Sequence, residues 1–439
     1  MISRCFFVLL ALSAPVATAR GGDWPHFLGP NHDLHSVETG LIQSFPEGGL
    51  KKLWEFPRGE GHAAPVVLGD ALVFIHQRDG KEIVQCLDAA TGQPRWDHAY
   101  PVDIGHSYGV SDAPRSSPVI DSATGLVFTL GNDSDLIAFH LDTGKIAWKK
   151  NLTKDFGEAP FFFGRGSCPL VLGKRLIVNV GAAGACVVAF DTATGEVLWK
   201  AAHDWNGSYA SPVPGKVNGR DRVFVLAGGM TDPPHGGLIS VDPETGHIDD
   251  AVPWRSKMFA SVLAASPVPC GENRVFITED YGEGGAMIEF DENFKARIAW
   301  RTGDLGCQFQ TPIYHDGHLY GFGGTAGLLL CYEAEFGAYR FSEPFIRLLV
   351  SWDGRELPMT LGKASLVHAG GVFWCQGENG TLLRLDLSPQ GGARVLDSFQ
   401  PFYAPSTWAP PVIANGRLYV NQNAMEPRLI CFDVRAAEK

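Results

Sequence analysis

Six side chains that could grip a charged or ring-bearing ligand recur at one position of the chain: His62, Arg115, Tyr209, Phe309, Lys363 and Trp408. Each lies three residues before a proline, or before Leu366 where that proline is replaced. Gly166 and Ala264 hold the same position in two further copies. Cation plus aromatic surface suits an anionic or sugar-like ligand. The two positions that follow are small in nearly every copy, so chemical identity resides in the variable one. If the copies form a ring, Lys363, Trp408, His62 and Arg115 are neighbours around it. They then make a semicircle of cations about an aromatic plate, facing Gly166, Tyr209, Ala264 and Phe309. The competing account is that these side chains plug a channel and pair with loop carboxylates such as Asp112 or Asp304.

Other constellations are weaker. Gly131-Asn132-Asp133-Ser134-Asp135 has calcium-loop composition, but it falls between two strand patterns, where an Asn/Asp-rich hairpin turn explains it. Gly228-Gly229 and Gly236-Gly237 flank Pro233-Pro234 with no helix after them, so they are loop and not a phosphate cradle. Asp103, Asp112 and Asp304 read as isolated loop carboxylates. No Ser-His-Asp order carries a nucleophile elbow, and no Cys/His spacing suggests zinc. These readings leave no catalytic residue and no metal ligand assigned.

The elements that must position the ring belong to a repeat. Small-small-Pro-aliphatic units such as Ala63-Ala64-Pro65-Val66 and Ser116-Ser117-Pro118-Val119 occur eight times, at a period of roughly 50 residues. Each is followed by alternating apolar runs rich in β-branched and aromatic residues, which argues for strands. A second motif closes the units: Asp191-Thr192-Ala193-Thr194-Gly195 with Trp199, and likewise Gly92 with Trp96 and Gly144 with Trp148. Gly246 ends a fourth such turn. There the Asp can accept backbone N–H bonds and the Gly can take φ > 0, a conformation that Asn also tolerates. The Trp brings a large area to bury. The chain is therefore predicted to be all-β, an eight-bladed propeller of four-stranded blades spanning 51–439, with an insertion at about 333–362. The eighth unit lacks a Trp-bearing fourth strand, and Lys52-Leu53-Trp54-Glu55-Phe56 supplies one from the other end of the chain. Trp54 is thus expected to complete the last blade and lock the ring shut, which removes an exposed sheet edge.

Residues 1–19 read as a secretory signal: Arg4, an apolar run to Val16, then Ala17-Thr18-Ala19. No Cys follows directly, so no lipid anchor is expected, and no later stretch has the length of a membrane span. The expected location is periplasmic or secreted. Residues 20–50 form an arm, with Trp24-Pro25-His26-Phe27-Leu28-Gly29-Pro30-Asn31, read as packed on the propeller. The 439 residues carry a net charge of −12, which argues against nucleic acid as a partner. Cys86, Cys331 and Cys431 read as small core hydrophobes. One disulfide among Cys168, Cys270, Cys307 and Cys375 is compatible with an oxidising compartment.

The Asp-x-x-Thr-Gly-x-x-x-Trp repeat resembles the tryptophan-docking motif of the PQQ-type propeller superfamily. Trp24-Pro25-His26-Phe27-Leu28-Gly29-Pro30-Asn31 and Pro114-Arg115-Ser116-Ser117-Pro118 are similar to exported bacterial PQQ-like repeat proteins. The likeness covers essentially all of 20–439. It implies either a non-enzymatic scaffold, like that of the outer-membrane β-barrel assembly machinery, or a dehydrogenase using pyrroloquinoline quinone and calcium. The dehydrogenases are known for an adjacent Cys-Cys disulfide in the alcohol enzymes and for calcium held by Glu, Asn and Asp. This chain has no adjacent Cys pair and no evident calcium cluster. The expectation is an exported binding or scaffold module without cofactor, taking a protein partner or a small anionic or saccharide ligand at the channel mouth. A polysaccharide-handling accessory role fits the aromatic mouth but has no motif of its own.

Overall fold

The computed structural model describes residues 22–103, 113–159, 161–229, 231–324, 327–345, 348–352 and 354–437. The signal segment 1–19 and Asp112 lie outside them. Eight four-stranded antiparallel sheets follow one another around a ring. Blade 1 runs Val66–Leu68, Ala71–Arg78, Lys81–Asp88 and Pro94–Pro101, from the axis outward. Blades 2 to 7 repeat that order. Their innermost strands are Val119–Asp121, Leu170–Leu172, Val213–Val217, Val268–Pro269, Ile313–His315 and Ser365–Ala369. The last sheet is made from both ends of the chain: Val412–Ala414, Arg417–Gln422 and Arg428–Asp433 are joined by Lys52–Pro57 as outermost strand. Trp54 pairs with Cys431 and Phe56 with Leu429, so the first strand seals the ring. A two-stranded hairpin, Leu349–Trp352 with Arg355–Pro358, fills the long connection between blades 6 and 7.

One contact repeats at the seams. The Trp of each outer strand that carries one lies on the turn glycine of the next blade and not on its own. Its indole N–H donates to a carbonyl there: Trp54 to Ala89 at 3.2 Å, Trp96 to Leu141 at 2.8 Å, Trp148 to Thr192 at 2.9 Å and Trp199 to Pro243 at 2.9 Å. Gly195 sits at φ +72°, and a Cβ there would fall 2.7 Å from the Trp148 ring. The glycine is therefore needed twice, for its backbone conformation and for its bare face. This corrects the expectation that Asn would be tolerated: Asn accepts the φ but not the ring. A fifth pair, Trp300 on Gly337, follows the same geometry with a turn that the sequence motif does not capture. The turns themselves form as read, Asp191 Oδ1 accepting from the N–H of Ala193 at 3.0 Å and of Thr194 at 2.9 Å.

The arm crosses one end of the ring. Trp24, fully buried, exchanges two backbone bonds with Val67 of blade 1 at 2.9 and 2.8 Å. Pro25 O accepts from Ile120 of blade 2, Leu34 and Ser36 bracket His368 of blade 7, and Ile42 N–H reaches Val434 beyond blade 8. All eight described cysteines are buried free thiols. Cys168, Cys270, Cys307 and Cys375 thus form no disulfide, and burial pushes the Cys307 thiol up to about 12.

Two measurements test this arrangement. Trp54→Ala is expected to cost about 3–5 kcal/mol, the range for emptying a large buried aromatic site. A chain beginning at residue 58 should melt far below one beginning at residue 20; equal melting would exclude the seal. For the seam contact, Gly195→Ala should destabilise the native protein strongly. Combined with Trp148→Ala it should do so much less, because only the φ cost of about 1–2 kcal/mol remains once the ring is gone. Additive losses in that double-mutant cycle would show that the ring does not rest on the glycine.

Candidate functional site

Eight innermost strands converge on the axis, and in five of them the residue just before the proline carries a second function besides being small. A relay of hydrogen bonds runs from blade to blade through these residues. Ala64 N–H donates to Ser117 Oγ at 2.9 Å, Ser117 N–H to Cys168 Sγ at 3.2 Å and Cys168 N–H to Ser211 Oγ at 2.9 Å. Ser211 N–H continues to Ser266 Oγ at 3.2 Å, and Ser266 N–H to Thr311 Oγ1 at 3.1 Å. Where the hydroxyls stop, carboxamides take over. Gln376 Nε2 donates to Ala409 O at 2.9 Å and Asn421 Nδ2 to Ala63 O at 3.1 Å. Cys168 therefore belongs to the relay. The signal in the sequence is Ser, Thr or Cys at that position in six of the eight copies, which steric smallness also accounts for.

Above this relay lies a cavity of about 360 Å³, and all eight variable positions line it: His62, Arg115, Gly166, Tyr209, Ala264, Phe309, Lys363 and Trp408. Phe27, Leu28 and Leu34 of the arm also line it, so the channel is a cup with an arm-built floor. The Trp408 ring stacks on His62 at 4.9 Å and meets Phe309 at 4.9 Å, making one continuous aromatic wall. Lys363 Nζ lies 5.6 Å from the Phe309 ring and 6.0 Å from the Trp408 ring, within cation–π range. Across the cup, Arg115 Nη1 donates to the carbonyls of Ala113 at 3.1 Å and Phe163 at 2.9 Å, with its guanidinium over the Phe163 ring. Tyr209 OH accepts from the N–H of Phe162 at 2.9 Å and Phe163 at 3.2 Å, which fixes that same loop.

The electrostatics differ from the sequence expectation in one respect. His62 is not one of the cations. Burial, reinforced by the Arg115 and Arg58 charges, holds its imidazole down at about 3, so the ring is neutral. Asn423 lies 3.2 Å from its Nδ1, and its backbone N–H donates to Pro114 O at 2.8 Å. The cationic set is thus Arg115 and Lys363. Nor does Asp304 pair with them: it accepts from Tyr332 OH at 3.1 Å, away from the cup. Three polar atoms of the lining have no hydrogen-bond partner among the described residues: His62 Nε2, Gln308 Oε1 and Gln310 Nε2. The glutamines were missed because they flank Phe309 in only one of the eight copies. Gln308 Nε2 reaches Tyr281 OH at 2.6 Å. The Gly131–Asp135 segment is a hairpin turn, Ser134 N–H donating to Gly131 O at 3.0 Å, with Asp135 paired to Lys149 at 2.9 Å.

A ring of eight such sheets, docked by Trp on Gly around a central cup, defines a PQQ-type propeller. Residues 80–343 match the family described as "Outer membrane protein assembly factor BamB", and the chain belongs to that family. It is similar to the outer membrane protein assembly factor BamB of Burkholderia pseudomallei, with 26 % identity over 54 % of this chain and 55 % of the relative. It is also similar to a polyvinylalcohol dehydrogenase of a Sphingopyxis species, with 27 % identity over 46 % of this chain and 30 % of the relative. The chain thus spans about half the length of the first relative and under a third of the second. Among solved structures, BamB of Moraxella catarrhalis superposes with a TM-score of 0.58 at 14 % identity, over 89 % of this chain and 99 % of that one. A europium-containing methanol dehydrogenase gives 0.64 at 14 % identity, over 94 % and 98 %. At such identities these likenesses establish the fold.

The neutrality of His62 has a pH consequence. Unfolded, a histidine titrates near about 6.5; folded, His62 refuses the proton until about 3. Below about 6.5 the unfolded state binds more protons, so stability falls as pH drops through this window and is unaffected above it. His62→Gln is therefore expected to shrink the loss of Tm between pH 7 and pH 4.5. An unchanged loss would show that the ring is not held neutral.

Proposed function

We propose that the chain is an exported propeller, periplasmic or secreted, that acts as a binding module without a resident cofactor. Its cup takes a small flat anion, such as a carboxylate carried on an aromatic or sugar-like ring. One observation carries this reading: the described residues lining the cup include two cations, an aromatic wall and no carboxylate. A ring would stack against Trp408 and Phe309 while its anionic group meets Lys363 and Arg115. Gln308 Oε1 and Gln310 Nε2 supply an acceptor and a donor, which buried polar groups need. In a protein that is acidic overall, such a cationic cup also selects anions over the bulk field.

Calcium-assisted quinone chemistry, by contrast, finds no fitting donor set. A calcium ion takes about six to eight oxygen ligands, carboxylates prominent among them, and the described lining offers none. Pyrroloquinoline quinone carries carboxylates on a flat ring and so belongs among the ligands to be tested without metal. A second reading is a scaffold that docks a protein over the mouth, the role the assembly-factor relatives suggest. It is favoured by Met258, Phe259, Tyr403 and Met425, which are exposed on the loops at the end of the ring opposite the arm. No described helix is long and apolar enough to cross a membrane.

A thermal-shift and calorimetry panel of benzoates, uronic acids and pyrroloquinoline quinone tests the proposal. Lys363→Ala should change stability by less than about 1 kcal/mol, because it breaks no ion pair among the described residues. It should nevertheless remove most of the ligand-induced shift. Arg115→Ala should weaken the same ligand and cost more stability, because its carbonyl bonds are charge-assisted, about 1.5–3 kcal/mol for such contacts. If no compound stabilises the native protein more than Lys363→Ala, the cup is not an anion site. Dye reduction with bound quinone would instead establish a dehydrogenase.

A further inference from the structure

At the arm end of the ring, remote from the mouth, three imidazoles from three separate segments meet. His35 comes from the arm, His315 from the innermost strand of blade 6 and His368 from that of blade 7. Each offers a ring nitrogen, and the three nitrogens lie within 4.8 Å of one another. Ring centroids are 5.3 Å apart for His35 and His315, 5.0 Å for His35 and His368, and 4.2 Å for His315 and His368. The backbone enforces the meeting. Ser36 N–H donates to His368 O at 2.8 Å and His368 N–H donates to Leu34 O at 3.0 Å, so His35 lies between two residues tied to blade 7. Phe373 closes one side, 5.4 Å from His315 and 5.0 Å from His368.

The hydrogen bonds orient the rings. His35 Nδ1 lies 2.9 Å from Asp33 O. A carbonyl only accepts, so Nδ1 carries a proton, and when the ring is neutral Nε2 presents a lone pair. Nε2 faces His315 Nδ1 at 3.1 Å. The other nitrogen of His315, Nε2, lies 3.4 Å from the Asp316 carboxylate. Both outward nitrogens thus sit against a carbonyl or a carboxylate, the outer arrangement typical of metal-ligating histidines. His368 adds a ring nitrogen within 4.8 Å of one on each of the other two. Zinc–nitrogen bonds of about 2.0–2.1 Å in a tetrahedron place two ligands about 3.3 Å apart, close to the observed separation.

We propose that His35, His315 and His368 bind one divalent transition-metal ion of the class that imidazole favours, zinc foremost, with the fourth position left to water. The ion clips the arm to blades 6 and 7. Because the same arm carries Leu28 and Leu34 into the cup, the clip also holds part of the cup's floor. The site is independent of what the cup binds.

The test uses the full chain without any affinity tag. Zinc chloride titrated against a chromophoric chelator should show one ion per chain, bound at micromolar affinity or tighter. Cobalt(II) should give the intense visible bands of a tetrahedral site. EDTA should lower the Tm of the native protein, but not that of His315→Gln or His368→Gln, which should bind zinc at least about tenfold more weakly. The variants are compared in EDTA first. Should one of them melt well below the native apoprotein, His35→Gln on the arm replaces it. Native protein that binds no stoichiometric zinc overturns the proposal. So does equal zinc affinity in the variants, or cobalt bands that persist in them; the imidazoles would then be joined by a ring-to-ring hydrogen bond alone.

Discussion

The contact on which the molecule depends is an indole laid on a glycine. Trp148 of one blade covers the backbone of Gly195 in the next, and the glycine has no Cβ to hold the ring away. The indole N–H meanwhile satisfies a turn carbonyl that burial would otherwise leave unpaired. Each blade therefore constrains the sequence of its neighbour. The blade 4 to blade 5 seam shows this by exception. Asp250 stands where the Trp would be, four residues after Gly246, and accepts from Ala296 N–H at 2.8 Å. No ring then needs a bare face on the next turn, and that turn closes with Phe294 at φ +61°, a side chain that no Trp-bearing seam would admit.

Closure of the ring follows from the same contact. Lys52–Pro57 is the outermost strand of the last blade, and its Trp54 docks on Gly92 of the first. One strand thus satisfies the last sheet edge and the last seam together. Once eight blades close, their innermost strands converge, and only short residues fit before the prolines. The Ser, Thr and Cys atoms there accept from the preceding blade's N–H, so steric necessity and polar satisfaction select the same residues. The relay then fixes the height of the residue two positions earlier in each blade, which is how unrelated side chains come to share one cup.

The two ends of the axis differ in chemistry. One end is open, aromatic and cationic; the other is spanned by the arm and gathers imidazoles. Burial makes His62 a neutral stacking partner for Trp408, and its charge never competes with Arg115. The arm connects the ends, since Leu28 and Leu34 touch the cup while His35 reaches His315 and His368. A fold shared by assembly factors and dehydrogenases thus carries residues that differ from blade to blade at the variable position of its repeat, and further ones in the arm.

The repeat, the blade number and the strand-swapped closure were legible in the sequence because they rest on local chemistry. An Asp-x-x-Thr-Gly turn, an alternating strand and a small-small-Pro unit each carry their own signal at short range. The membership of the cup was legible for the same reason: equivalent positions of a closed repeat must face one another. What tertiary structure alone decided is what those positions experience. The charge state of His62 depends on burial and on Arg58 and Arg115, which no spacing encodes. Trp300 and Gly337 escaped because their turn replaces Asp and Thr with Glu333 and Phe336, while the docking surface they share is spatial. The three histidines at 35, 315 and 368 have no common motif and no common period. Only the path of the arm across the ring brings them together, since a contact between segments some 280 residues apart is set by the closed fold and not by any local preference.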